Sequence, residues 1–154
     1  MIRRVLVAID GSECSMEAAR YAASLLSGML PMVVIIHVAP DDPFPTGTTR
    51  LAIETPEPAA EDEIDIARAM WEGTQAIIDQ ARLPFDSMGA SVEGAVRQGD
   101  PAEQILDVAG DGGFDLIVLG SRGMGDPEGE GLGRTSSAVV RNAPCPVLVV
   151  RPRG

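Results

Sequence analysis

Four short apolar runs recur along the chain: VLVAI at 5–9, VVIIHV at 33–38, LIVL at 116–119 and VLVV at 147–150. Each is nearly continuous and rich in β-branched residues. That is the pattern of strands covered on both faces in a parallel sheet. A fifth stretch, ASVEGAVRQG at 90–99, alternates apolar with polar positions. The alternation predicts a less buried strand at the edge of the sheet.

Helical spacing fills the intervals. Ala18, Ala22, Leu25 and Met29 recur at steps of four and three, with Gly28 near the expected end. Ile64, Ala67, Trp71, Thr74, Ile78 and Ala81 repeat the pattern over a longer span, and Tyr21 and Trp71 are expected to pack helices onto the sheet. Ala102, Ile105, Leu106 and Ala109 follow Pro101, a residue suited to the first helical position. Ala138, Val139 and Ala143 mark a last short helix that begins near Thr135 or Ser136. The order β-α-β-α-β-α-β-α-β predicts an α/β fold with a parallel sheet and right-handed crossovers.

Residues 39–60 break the regularity, holding five of the twelve prolines and no periodic apolar face. The segment leaves the second strand at its carboxyl end, the side on which open α/β sheets bind ligands. It is expected to be a long flexible loop, either a plain surface connection or a lid. Residues 1–154 are otherwise read as one domain.

Composition narrows the function classes. Hydrophobic residues are 45% of the chain and aromatics 3%, so the core must be aliphatic. No apolar run approaches bilayer length, and Asp10 cuts short the one run that follows basic residues as a signal peptide would. The expectation is a soluble, cytoplasmic protein. A net charge of −11 argues against nucleic acid and against anionic membranes as partners. All 12 basic residues are Arg. The absence of Lys excludes Schiff-base chemistry and a phosphate loop of the GxxxxGK[ST] kind. One histidine, His37, and two cysteines, Cys14 and Cys145, cannot build an ordinary zinc site or a disulfide framework. The cysteines are read as reduced thiols and His37 as a satisfied core histidine.

Two places can carry chemistry. Asp10 ends the first strand and is followed by Gly-Ser, which suits a ligand-binding carboxylate and equally a turn that caps a helix. Residues 120–137, GSRGMGDPEGEGLGRTSS, place Gly120, Gly123 and Gly133 ahead of a helix start. Free amides at that start suit phosphate, and glycines allow close backbone approach. The same composition serves a plain turn, and Asp126, Glu128 and Glu130 would repel phosphate, with Arg122 and Arg134 on either side.

The pieces VLVAIDGSECSMEAARYA, IIHV, RQGDPAEQIL, DLIVLGSRG and APCPVLVV together resemble the universal stress protein family, in order and spacing, over nearly the whole chain outside 39–60. The resemblance implies a doubly wound five-stranded parallel sheet of order 3-2-1-4-5 with helices on both faces. It also implies a homodimer, expected here through the last strand, Val147, Leu148, Val149 and Val150. One branch of the family binds ATP through G-x2-G-x9-G-[ST]. Gly120, Gly123 and Gly133 match its glycines, whereas Arg134 stands in place of the hydroxyl residue, with Thr135 and Ser136 after it. By the same resemblance Asp10 meets the ribose or adenine, and Ala8, Val38 and Leu119 line the base pocket. The expected ligand is ATP or AMP, with magnesium as an accompanying ion. The expected role is non-catalytic stress regulation. The alternatives are a ligand-free protein acting through protein contacts and a slow ATP hydrolase.

Overall fold

A computed structural model describes residues 1–39, 61–124 and 129–153. Five strands and four helices alternate: β1 (Arg4–Ile9), α1 (Glu13–Leu25), β2 (Met32–Ala39), α2 (Glu61–Asp86), β3 (Ser91–Gln98), α3 (Pro101–Gly112), β4 (Leu116–Gly120), α4 (Arg134–Asn142) and β5 (Val147–Val150). All strand pairs are parallel, and the sheet order is β3-β2-β1-β4-β5. Three of the four continuous apolar runs, in β1, β2 and β4, occupy the centre, where both faces are covered; the fourth, VLVV, was expected to be covered likewise but forms the edge strand β5 and is mostly half-buried. Val5, Val7, Val33, Ile35 and Val118 face α1 and α2, while Leu6, Ile36, Ile117 and Leu119 face α3 and α4. Burying each such side chain contributes roughly 1.5–3 kcal/mol. The alternating stretch 90–99 forms the edge strand β3, as its pattern requires.

The helix stripes are placed partly as expected. Ala102, Ile105 and Ala109 are buried behind Pro101, which takes the first turn of α3. Gly113 ends that helix in the left-handed region, φ 62°. In α1 the buried stripe runs through Ala18, Ala22 and Leu26, whereas Leu25 and Met29 are exposed. The helix ends at Leu25, so Met29 lies beyond the periodic face. Ile78 and Ala81 of α2 are buried as predicted, while the side chains of Ile64 and Ala67 fall outside the described residues. Tyr21 and Trp71 are not buried between helix and sheet; they are 42% and 57% exposed. α4 begins at Arg134, just ahead of the predicted start. The 39–60 loop, beyond Ala39, lies outside the described residues, as do Asp126 and Glu128. No described helix is long and apolar enough to cross a membrane.

Candidate functional site

The chain turns in opposite directions from β1, toward β2 on one side and β4 on the other. Above that switch point, at the carboxyl ends of the strands, lies a cavity of about 940 Å³. All the site residues expected from the sequence line it: Ala8 and Asp10 from β1, Val38 from β2, Leu119 and Gly120 from β4, and Arg122, Gly123, Gly133, Arg134, Thr135 and Ser136 beyond. Ile36, His37, Asp100, Ile105 and Glu130 line it as well. Of these, Asp100 had a readable signal, an acidic residue directly before a proline that opens a helix.

Three helices start beside this crevice. Ser12 caps α1, its hydroxyl oxygen accepting the Ser15 N–H at 3.2 Å. Asp100 caps α3, its carboxylate accepting the Glu103 N–H at 3.0 Å. Gly133 occupies the same place at α4, and no side chain among the described residues caps that helix. Among those residues the first-turn amides of α4 and the positive end of its dipole therefore stay open.

Asp10 is not a helix cap. One carboxylate oxygen accepts the Ser12 N–H at 2.9 Å and the other accepts the Met124 N–H at 2.8 Å. Burial raises its pKa, but hydrogen bonds from Ser12, the Met124 amide and Ser15 outweigh burial and hold the carboxyl below its usual value. Ser136 directs its hydroxyl to the Ser121 carbonyl at 2.9 Å and packs in the interior. Arg122 is buried, and Arg134 is exposed at the cavity mouth. His37 is only partly buried. Its Nδ1 lies 3.0 Å from the Ile9 carbonyl. A carbonyl only accepts, so Nδ1 carries the proton. Among the described residues no group of three or more His, Cys, Asp or Glu side chains is placed to hold a metal.

Gly120 and Gly123 are required for packing, each against a different neighbour, and Gly133 sits close to a third. A side chain on Gly120 would meet the Cys14 Sγ at 2.8 Å and the Cys14 backbone at 3.1 Å. One on Gly123 would run into the Asp10 carboxylate, and one on Gly133 would press on the Ser121 carbonyl at 3.3 Å. None of the three has a positive φ.

Fold and crevice define a small doubly wound α/β protein with its cavity at the topological switch point. Within that class, residues 1–151 match the family model described as the Universal stress protein family, and the chain belongs to that family. It is 31% identical to the universal stress protein YxiE of Bacillus subtilis over 151 residues, covering 98% of this chain and 100% of that one. The solved structure of MJ0577, a universal stress protein of Methanocaldococcus jannaschii, shares the fold with a TM-score of 0.78 at 23% identity, covering 100% and 99% of the two chains. A universal stress protein family protein from Arabidopsis thaliana, solved with AMP bound, shares it with a TM-score of 0.65 at 18% identity, covering 99% and 93%.

Proposed function

We propose that the chain binds an adenine nucleotide in the crevice and acts as a ligand-responsive, non-catalytic homodimer. The observation that carries this reading is the open start of α4 at a cavity where the starts of α1 and α3 are closed by side chains. An uncapped helix start facing a cavity suits phosphate. Ala8, Val38 and Leu119 offer an apolar surface for the base, and Asp10 retains acceptor capacity for a ribose hydroxyl. Arg122 and Arg134 supply countercharge. The AMP-bound Arabidopsis protein of the same fold supports the ligand class.

The charge balance favours few phosphates. Three described carboxylates line the cavity, Asp10, Asp100 and Glu130, against the two guanidinium groups of Arg122 and Arg134. Each carboxylate about 8 Å from a further phosphate charge costs roughly 0.5–1 kcal/mol at an effective dielectric of ~40–80. AMP is therefore the ligand proposed first, and ATP, with or without magnesium, second. Binding rather than hydrolysis is supported by the engaged groups: the Ser136 hydroxyl and His37 Nδ1 are tied to backbone carbonyls, and Asp10 to two amides.

Mass spectrometry of small molecules released from the denatured purified protein, followed by calorimetric titration with AMP and ATP, tests the reading. The expected results are AMP in the extract, tighter binding of AMP than ATP, and no phosphate release from ATP. No binding of either nucleotide at millimolar concentration would favour a ligand-free protein acting through protein contacts. For the dimer, β5 is an edge strand whose Val147, Leu148 and Val149 are only half-buried. An apolar edge is an aggregation hazard unless paired, and a two-fold axis pairs it with itself. Val149→Lys should yield monomer or insoluble protein in sedimentation analysis. An unchanged soluble dimer would contradict the interface.

A further inference from the structure

Asp10 makes one contact that neither a base pocket nor a helix start requires. Its second carboxylate oxygen accepts the Met124 N–H at 2.8 Å, across 114 residues of sequence. The carboxylate is itself held in place. Its first oxygen accepts the Ser12 N–H at 2.9 Å, and the Asp10 N–H donates to the Ser15 hydroxyl at 3.3 Å, which in turn donates to the Ser12 carbonyl at 2.9 Å. The β1–α1 turn is thus a fixed platform for that carboxylate. The loop after β4 has further anchors, among them those at Ser121. Its N–H donates to the Val150 carbonyl at 2.9 Å, and its carbonyl accepts from the Gly133 amide at 2.7 Å and the Ser136 hydroxyl at 2.9 Å. Met124 lies three residues further on with its side chain exposed. Gly123 provides the space for the contact, because a Cβ there would collide with the Asp10 oxygen that Met124 uses.

We infer that Asp10 is a positioning residue for the Gly123–Met124 segment, fixing the phosphate side of the crevice to the β1–α1 turn. Two distant parts of the chain then move as one wall. An ionised carboxylate has about four acceptor sites, and the Ser12 and Met124 amides occupy two of them. A ligand hydroxyl can therefore join the same group while the loop stays attached. The inference concerns the ligand-free protein. It deepens the nucleotide reading without depending on it.

Amide hydrogen exchange by NMR on the full chain without ligand tests it. In Asp10→Ala the Met124 amide should exchange about tenfold faster or more, the loss expected for one hydrogen bond to a charged group. The Ser121 and Gly133 amides, held by other acceptors, should change less than about twofold on the same grounds. A uniform acceleration of all three would mark general destabilisation and overturn the assignment, as would an unchanged Met124 rate. If the alanine variant does not fold, Asp10→Asn retains one acceptor oxygen. Either Ser12 or Met124 must then lose its partner, and acceleration of neither overturns the inference. Gly123→Ala gives the coupling. It should accelerate Met124 exchange about tenfold in the native background but less than about twofold in Asp10→Ala, because the collision partner is gone. Equal effects in both backgrounds overturn the inference. AMP titration of the native protein separates the two readings: faster Met124 exchange in Asp10→Ala, with no AMP binding by the native chain, would keep the role of Asp10 and remove the nucleotide.

Discussion

α3 and α4 start beside the same cavity and are finished differently. Asp100 turns its carboxylate onto the Glu103 amide and closes the start of α3. Gly133 leaves the start of α4 without a side chain, and the Ser136 hydroxyl inside the first turn points back to the Ser121 and Gly133 carbonyls. A capped start serves the helix. A glycine in the cap position gives up little of that stability, a few tenths of a kcal/mol or more, and leaves amides available to a ligand. On the proposed reading, the difference separates structural helix starts from a ligand-binding one more sharply than glycine content does.

The largest effect should come from making α4 resemble α3. Gly133 has φ −68° and ψ 174°, a backbone that any residue adopts, and its Cβ would need the Ser121 carbonyl to yield only slightly. Gly133→Asp should cap α4 and hold or raise the melting temperature. The new carboxylate would stand about 4 Å from a bound phosphate and cost about 2 kcal/mol per phosphate charge at an effective dielectric of ~40. AMP affinity by calorimetry should fall about 30-fold or more.

The converse change opens α3. Asp100→Ala should lower stability by about 1 kcal/mol, the usual loss for an N-cap, read as a lower urea midpoint. AMP binding should stay the same or tighten slightly, since one carboxylate leaves the cavity. Glu130→Gln probes the mouth of the crevice and should tighten ATP by about two- to fivefold, with a smaller gain for AMP. Equal gains for the two nucleotides would place Glu130 away from the outer phosphates.

Asp10 adds a pH dependence. Its carboxyl is held below the usual value in the folded state. Its contribution to stability is therefore complete above the unfolded pKa of about 3.9 and is lost as pH falls through the lower folded value. The difference in urea midpoint between the native chain and Asp10→Asn should be constant near neutrality and shrink in that acid range. A difference that persists below pH 2 would mean the bonds to Ser12 and Met124 do not depend on the charge.

The sheet was legible because its central strands are covered twice and so carry continuous β-branched runs, while β3 at one edge alternates; β5 at the other edge carries a continuous run and is half-buried. The cavity residues were legible at the strand ends, where Ala8, Asp10, Val38 and Leu119 follow from position and family pattern. Side-chain direction on α1 was not. A choice between Leu25 and Leu26 turns on where the helix ends, and on α2 Trp71 falls on the periodic stripe yet is exposed. The reason for Gly123 could not be read from its own neighbourhood. It lies in Asp10, which reaches the loop only when β1 and β4 become adjacent. Likewise, that Ser12 caps α1 and frees Asp10 for Met124 depends on turn geometry that Asp, Gly and Ser all allow.

The central claim is that the open start of α4 holds phosphate while the capped start of α3 does not. It is tested most directly by following backbone amide resonances of the native protein as AMP is added. The account predicts large, saturable shifts at Arg134, Thr135 and Ser136, with adenosine alone producing much smaller ones there, and little change at Ala102 and Glu103. Shifts at Ala102 and Glu103 that match or exceed those at Thr135 and Ser136, or none at α4 with AMP bound, would contradict it.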